Sequence, residues 1–192
     1  CCVESGVKVL TIYAFSTENW HRPPAEVHDL LALVERTLEQ ELPALHQHGV
    51  RIWHSGSLVG LSPTLQHQLG YAQELTQPNE RIILNLAVNY GGRADIVAAV
   101  RRAMADDLAP TALTEERFRH YLSTGALPDL DLLIRTGGEM RLSNFLLWEA
   151  AYAECFATPL AWPDFDATVF EQALFAYRQR RQDGERARSP SA

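Results

Sequence analysis

The chain has 192 residues, of which 46% are hydrophobic and 21% are charged, and its formal net charge is −7. This length and composition are typical of one globular domain with a substantial hydrophobic core. The acidic balance argues against a protein that binds nucleic acid through a broadly basic surface, so any anion site must be local.

Short, nearly continuous apolar runs alternate along the chain with longer amphipathic stretches. The runs predict strands at about Lys8–Ser16, Val50–Ser55, Arg81–Asn89, Leu130–Arg135 and Glu154–Phe156. The stretches between them predict helices at about Ala25–His48, Ser62–Leu75, Ala94–Asp106, Thr114–Tyr121, Asn144–Trp148 and Ala167–Gln182. This alternation indicates an α/β fold, a parallel sheet flanked by helices on both faces. We expect one domain over residues 1–182 and a disordered tail over 183–192.

The helix predicted from Ala25 carries an apolar stripe whose members recur at spacings of three and four residues. The stripe consists of Val27, Leu30, Leu31, Val34, Leu38, Leu42 and Leu45. Stripes of this kind usually pack into a hydrophobic core, and we expect this one to do so.

No stretch approaches the roughly 20 uninterrupted apolar residues that a membrane-spanning helix needs. The first residues do not combine a basic region with an apolar core, as a secretory signal would. Three cysteines, Cys1, Cys2 and Cys155, show no Cys-x-x-Cys spacing and leave one thiol over in any disulfide scheme. We therefore predict free thiols and a cytoplasmic protein.

Polar turns follow three of the predicted strands. They are the segments Tyr13–Pro23, Asn85–Asp95 and Arg135–Asn144. Ligands of open α/β sheets bind beyond the carboxyl ends of the strands, so we predict that these turns line one pocket.

The third turn has the composition of a phosphate site. Arg135-Thr-Gly-Gly-Glu-Met-Arg141-Leu-Ser143-Asn144 places two guanidinium groups, a hydroxyl and a diglycine directly after an apolar strand. Arginine matches phosphate oxygens with a planar fork of donors, and glycine lets backbone amides approach closely. The turn therefore predicts a diphosphate ligand.

The three turns together resemble the cis-prenyltransferase family, whose bacterial members are undecaprenyl diphosphate synthases or isoprenyl transferases. The string from Arg135 through Phe145-Leu-Leu-Trp148 carries the most specific part of the match, which extends from near residue 1 to about Arg181. The resemblance implies a transferase that condenses isopentenyl diphosphate with an allylic diphosphate such as farnesyl diphosphate. Its product is a cis-polyprenyl diphosphate such as undecaprenyl diphosphate.

The resemblance also assigns roles to individual residues. It implies that the diphosphate of isopentenyl diphosphate is bound by Arg135, Arg141 and Ser143, and the allylic diphosphate by Arg22. It places Ser16, Asn19 and Trp20 at the reacting centre. It assigns Asn89, Gly91 and Arg93 to the substrate-binding central turn and Glu154 to the metal. Structural alternatives stand beside several of these roles. Ser16 suits a turn and Trp20 a core, while the glycines beside Arg93 suit a plain strand-to-helix turn that Asp95 would cap.

Cofactor and partners follow from the same resemblance. It implies Mg²⁺, a homodimer to which the segment Phe145–Phe156 contributes, and a prenyl tunnel with the helix from Ala25 as one wall. The basic residues of the tail allow a peripheral contact with an anionic membrane. Nucleic acid is not expected as a partner.

The chain departs from the family pattern in two places. Met140 stands where some members have a histidine proposed as a metal contact, and a thioether does not suit Mg²⁺. The family also begins with a strand and a Met-Asp-Gly-Asn loop, for which this sequence has no counterpart. We therefore expect a chain that lacks the first strand and is inactive by itself. A near-normal turnover rate of the 192-residue chain with Mg²⁺ would contradict this expectation.

Two alternatives to an enzyme stay open. A non-catalytic partner subunit would not need Arg22, Asn19 and the pair Arg135 and Arg141 together, so their presence favours the enzyme. A diphosphate-binding α/β module without chemistry is the other alternative. No Gly-x-Gly-x-x-Gly or Gly-x-x-x-x-Gly-Lys-Ser/Thr loop follows any predicted strand, and this argues against a nucleotide-binding module.

Overall fold

The structure is a computed structural model that describes residues 1–188. It divides into two compact units, a first unit of residues 1–128 and a second unit from residue 129 onward. The prediction of one domain over residues 1–182 remains a prediction. Within residues 1–188, none of the helices combines the length and apolar character needed to cross a bilayer.

The first unit contains a three-stranded parallel sheet. Its strands are β1 (Val9–Ser16), β2 (Val50–Ser55) and β3 (Ile82–Tyr90), in the order β1-β3-β2. The helices of this unit are α1 (Pro24–Gln47), α2 (Pro63–Thr76), α3 (Gly92–Ala105) and α4 (Glu115–His120), with short 3-10 turns at Thr17–His21 and Pro110–Ala112. The central strand β3 therefore ends beside β1, and Ser16 pairs with Tyr90.

The core of the first unit lies where α1 and α2 pack on the sheet. Phe15, Ile52, Leu65 and Leu69 are almost wholly buried there. The predicted stripe of α1 is confirmed. Its seven members either belong to this cluster or pack against it.

The second unit pairs two parallel strands, β4 (Leu132–Arg135) and β5 (Glu154–Ala157), with Leu132 opposite Glu154. Short 3-10 turns lie at Glu149–Ala151 and Trp162–Asp164, and the helix α5 spans Ala167–Arg188. The α/β class and the parallel strands are thus as predicted, with the strands distributed over two sheets, one in each unit.

Four predicted helices agree with the structure to within two residues at each end, and the other two differ more. The helix predicted at Asn144–Trp148 is wrong, because Asn144 and Leu146 have φ angles of 62° and 45°, which a right-handed helix does not allow. Helix α5 continues to Arg188 instead of ending at Gln182. The last part of the predicted tail, residues 189–192, lies outside the described residues.

A partly buried histidine, His54, makes the stability of the first unit depend on pH. The Nε2 atom of His54 lies 3.0 Å from the carbonyl oxygen of Val88, which can only accept, so this nitrogen carries the proton of the neutral ring. Burial lowers the pKa of His54. The folded chain therefore keeps this ring neutral at a pH at which the unfolded chain already binds a proton.

We expect the free energy of unfolding to fall as the pH drops below the ordinary histidine pKa of about 6.5, down to the lower pKa of the folded state. His54→Gln keeps a donor for Val88 but cannot titrate, so it should lose less stability between pH 7.5 and pH 5.5. Urea unfolding at both pH values measures this difference. The exposed His120→Gln serves as the control, and an equal loss in both variants would contradict the prediction.

Candidate active site

Asn89 joins the ends of the strands in the first unit. Its Oδ1 atom accepts a hydrogen bond of 2.7 Å from Nε1 of Trp20, and its Nδ2 atom donates to the carbonyl oxygens of Ser57 and Val59, each at 2.9 Å. The side chain is buried, and φ is 52°, a left-handed conformation that asparagine tolerates better than most residues. Asn89 therefore fixes the turn after β1 and the loop after β2 against the end of β3.

Ser16 and Asn19 shape the turn that presents Trp20. The backbone N–H of Ser16 donates to Oδ1 of Asn19 over 2.8 Å, which closes the start of the 3-10 turn Thr17–His21. The ring of Trp20 packs edge-on against Phe15 with 5.3 Å between the ring centroids. Trp20 nevertheless remains 39% exposed, so the alternative of a plain core tryptophan is wrong.

Tyr13 stands near the same strand end. Its hydroxyl donates to the carbonyl oxygen of Tyr90 over 3.1 Å. Burial, and then repulsion by the nearby Glu18 carboxylate, raise the pKa of Tyr13 to about 12. This hydroxyl therefore stays protonated near neutral pH and acts as a donor.

Trp20 and Arg22 line an open cavity of about 610 Å³ in the first unit. Apolar side chains from α1 and from the loop before α2 form much of its wall, among them Val27, Leu31 and Leu61. Polar groups are present as well, since Glu35 accepts a hydrogen bond from the hydroxyl of Ser62. The cavity thus joins an apolar wall to one guanidinium group.

The guanidinium group of Arg22 is only weakly held. Its Nη1 atom lies 3.4 Å from Oε2 of Glu26, and both side chains are 55% exposed. Exposed ion pairs contribute about 0.2–1 kcal/mol, so an anionic ligand can replace Glu26 at low cost.

The central turn has the geometry of a strand-to-helix connection. Gly91 is extended and precedes α3, while Arg93 is exposed on the first turn of that helix. Asp95 is not a cap, contrary to the alternative above. Its carboxylate accepts from the backbone N–H of Ser123 at 3.1 and 3.2 Å and from the Ser123 hydroxyl at 2.9 Å, and it pairs with Arg102 at 3.4 Å. The substrate-binding role predicted for Asn89, Gly91 and Arg93 in this turn stays a prediction.

In the second unit, the two arginines of the motif converge on one carboxylate. Nη2 of Arg135 contacts Oε2 of Glu139, and Nη2 of Arg141 donates to Oε1 of Glu139 over 2.6 Å. Nε of Arg141 also donates to the hydroxyl of Ser143 over 3.3 Å. Arg135, Arg141 and Ser143 thus form one cluster, with Glu139 at its centre. Glu139 was not among the predicted site residues, although the motif places it between the two arginines.

An unusual backbone holds this cluster in place. Gly137 and Gly138 have φ angles of 86° and 75°, and their N–H groups donate to the carbonyl oxygens of Leu160 and Thr158 at 2.7 and 2.9 Å. Ser143 is also left-handed, with φ of 49°. Non-glycine residues in such conformations cost of order 1–3 kcal/mol each and concentrate at functional sites. The loop is therefore tethered and strained, as expected of a ligand-binding turn.

Glu154 offers a carboxylate of the type that Mg²⁺ prefers, but it already has a partner. Its Oε2 atom lies 3.2 Å from Nη1 of Arg180, which also donates to the carbonyl oxygen of Cys155 over 2.8 Å. Across residues 1–188, no cluster of three or more histidine, cysteine or acidic side chains could hold a metal ion. Mg²⁺ commonly uses one or two carboxylates and completes its shell with water and phosphate. Glu154 therefore fits only as a single ligand that would have to leave Arg180.

The predicted residues thus fall into two local groups. Ser16, Asn19, Trp20, Arg22 and Asn89 surround the strand ends of the first unit, and Arg135, Arg141 and Ser143 cluster in the second. Glu154 lies on β5 of the second unit, beside Arg180. The prediction that all three turns line one pocket spans both units and stays a prediction.

Asn89→Ala should destabilise the chain by about 1–3 kcal/mol, because it removes the three hydrogen bonds that join the buried Asn89 side chain to Trp20 and to the loop after β2. Asn89→Gly removes the same bonds but tolerates the positive φ. We therefore expect the glycine variant to be the more stable of the two in urea unfolding. A wild-type midpoint for Asn89→Ala would contradict the structural role.

The chain matches a family model described as putative undecaprenyl diphosphate synthase over residues 1–184. A ditrans,polycis-undecaprenyl-diphosphate synthase specific for (2E,6E)-farnesyl diphosphate, from Pectobacterium atrosepticum, is 46% identical over 183 residues. That match covers 93% of this chain and 72% of the relative.

Solved structures give the same result. A probable undecaprenyl diphosphate synthase from Campylobacter jejuni superposes with a TM-score of 0.85 at 32% identity, covering 92% of this chain and 84% of that one. Lavandulyl diphosphate synthase from Lavandula x intermedia, in complex with dimethylallyl diphosphate, gives 0.86 at 37% identity, covering 92% and 78%. The α/β fold, the arginine-rich turn after β4 and these matches together show that the chain belongs to the cis-prenyltransferase family of undecaprenyl diphosphate synthases.

Proposed function

We propose that this protein condenses isopentenyl diphosphate with farnesyl diphosphate, repeatedly, to form a cis-polyprenyl diphosphate such as undecaprenyl diphosphate. The observation that carries the proposal is the convergence of Arg135 and Arg141 on one carboxylate. Two guanidinium groups that share one carboxylate are close enough to share one phosphate group, which presents oxygens to arginine in a similar way. The hydroxyl of Ser143, beside Arg141, adds a further polar group at this position.

The cavity of the first unit supports the assignment of the allylic substrate. A prenyl diphosphate is a long apolar chain with a doubly charged end, and the cavity combines apolar residues of α1 with the partly exposed guanidinium group of Arg22. Trp20 adds an aromatic face beside Arg22. We assign the prenyl chain to this cavity and the allylic diphosphate to Arg22.

The reaction needs stabilised anions and a site that excludes water. The allylic carbon–oxygen bond breaks and its electrons leave with inorganic diphosphate. The alkene of isopentenyl diphosphate attacks the allylic carbon, and the loss of a proton from the adjacent methylene group forms the new double bond. Arginine donors stabilise the charge that develops on the departing diphosphate, and apolar walls protect the electron-poor carbon. Ser16 and Asn19 are the residues we place nearest this centre, because they shape the turn that presents Trp20.

Three further assignments are part of the proposal. Mg²⁺ would supply additional positive charge to the diphosphates, with Glu154 as one ligand after exchange of Arg180. A homodimer would cover part of the segment 145–156, where Tyr152 is 98% exposed. The cytoplasmic location and the peripheral membrane contact remain predictions from the sequence.

The test is incorporation of labelled isopentenyl diphosphate into polyprenyl product by the protein expressed from its whole gene, with farnesyl diphosphate and Mg²⁺. Arg135→Ala and Arg141→Ala should each lower kcat/KM for isopentenyl diphosphate by roughly 10- to 100-fold, because each removes charged hydrogen bonds to phosphate. Arg178→Ala, an exposed arginine on α5, is the matched control and should leave the rate unchanged. Diphosphate binding without any turnover would instead support the binding-module alternative.

A further inference from the structure

The carboxylate of Glu139 lies where the proposed function places a phosphate group. One of its oxygens contacts Nη2 of Arg135 and the other accepts from Nη2 of Arg141. We propose that Glu139 is an internal counter-anion, which acts as a positioning residue for Arg135 and Arg141. Its carboxylate occupies the diphosphate-binding position while the site is empty and is displaced when isopentenyl diphosphate binds. This inference rests on the proposed function, because it concerns the same pair of arginines.

The contact explains how two cations can share the turn without a ligand. Guanidinium groups repel one another, and a carboxylate between them removes that repulsion and holds their spacing. A single carboxylate does not satisfy both groups completely. Nε of Arg135 is buried and lacks a hydrogen-bond partner among residues 1–188. A phosphate group has more oxygens than a carboxylate and suits bidentate contact with arginine, so it can meet more of these donors.

The side chain of Glu139 is able to leave. It is 38% exposed, so it can turn towards solvent without burying its charge. The backbone on its N-terminal side is tethered through Gly137 and Gly138, so the arginine-bearing turn can keep its shape while the carboxylate rotates. The two ion pairs that break are partly exposed, and such pairs contribute about 0.2–1 kcal/mol each. A doubly charged diphosphate offers the arginines more negative charge and more acceptor oxygens than the carboxylate does.

A displaced carboxylate has a measurable consequence, since it opposes the ligand in two ways. It competes for the arginines before binding, and its negative charge repels the diphosphate afterwards. Glu139→Gln preserves the size of the side chain and removes the charge. The variant should therefore bind a diphosphate more tightly than the wild-type chain, by about fivefold, the combined effect expected of two partly exposed ion pairs. A residue that merely supports the loop would produce the opposite change.

The experiment is calorimetric titration with inorganic pyrophosphate in EDTA, so that metal complexes do not contribute. Glu139→Gln should lower the Kd about fivefold, while Glu171→Gln, which removes the same charge from an exposed position on α5, should leave it unchanged. Glu139→Asp keeps the charge on a shorter side chain that reaches only one arginine, so its Kd should lie between those of the wild type and Glu139→Gln. An unchanged or higher Kd for Glu139→Gln would overturn the proposal.

Thermal stability and turnover provide two further tests of the role of Glu139. Saturating pyrophosphate should raise the Tm of Glu139→Gln more than that of the wild type, which also reveals whether the variant folds. In turnover, Glu139→Gln should lower the KM for isopentenyl diphosphate without raising kcat, as expected when ground-state binding alone improves.

The arginine variants separate this inference from the proposed function. If Arg135→Ala and Arg141→Ala bind pyrophosphate as the wild type does, the diphosphate site itself is misplaced. If both lose binding and Glu139→Gln shows no gain, the site stands and only the role of Glu139 is wrong.

Discussion

Repulsion between two guanidinium groups is the constraint on which the arginine-rich turn depends. Arg135 and Arg141 lie together because the carboxylate of Glu139 joins them. The rest of the turn serves this arrangement. Gly137 and Gly138 adopt left-handed conformations and bind the chain after β5, and Ser143 adopts one beside Arg141. A backbone that accepts such strain around an ion cluster is what a preorganised anion site requires.

In the first unit, Trp20 and Arg22 line a largely apolar cavity, and the position of Trp20 has to be fixed there. Asn89 achieves this by bonding to Trp20 and to the loop after β2 at the same time. The apolar stripe of helix α1 has two uses along its length. Leu38 and Leu42 are buried in the core, while Leu31 also lines the cavity beside Trp20. Leu31 thus both packs against the core and contributes to the wall of the cavity that we propose for the prenyl chain.

Charge in the second unit is paired throughout the proposed site. Glu139 neutralises two arginines, and Glu154 is bound to Arg180. Anionic substrates and a divalent cation would therefore enter by exchanging partners with existing ion pairs rather than by finding unpaired charges. Because these ion pairs are partly exposed, exchanging them costs little free energy. The binding affinity can therefore respond to small changes in the charge of the turn.

The sequence by itself determined the strand positions, the stripe of α1 and the grouping of Arg135, Arg141 and Ser143, because these follow from periodicity and from short-range spacing. It could not determine the partners of side chains, which depend on contacts distant in the chain. The alternative in which Asp95 caps a helix is wrong, because its carboxylate accepts hydrogen bonds from Ser123, 28 residues further on. The helix expected at Asn144 was wrong because the tethered turn forces left-handed backbone there, against local propensity. Only the tertiary structure showed Glu139 between the arginines, since the side chains of a folded turn, not its sequence, decide which charges meet.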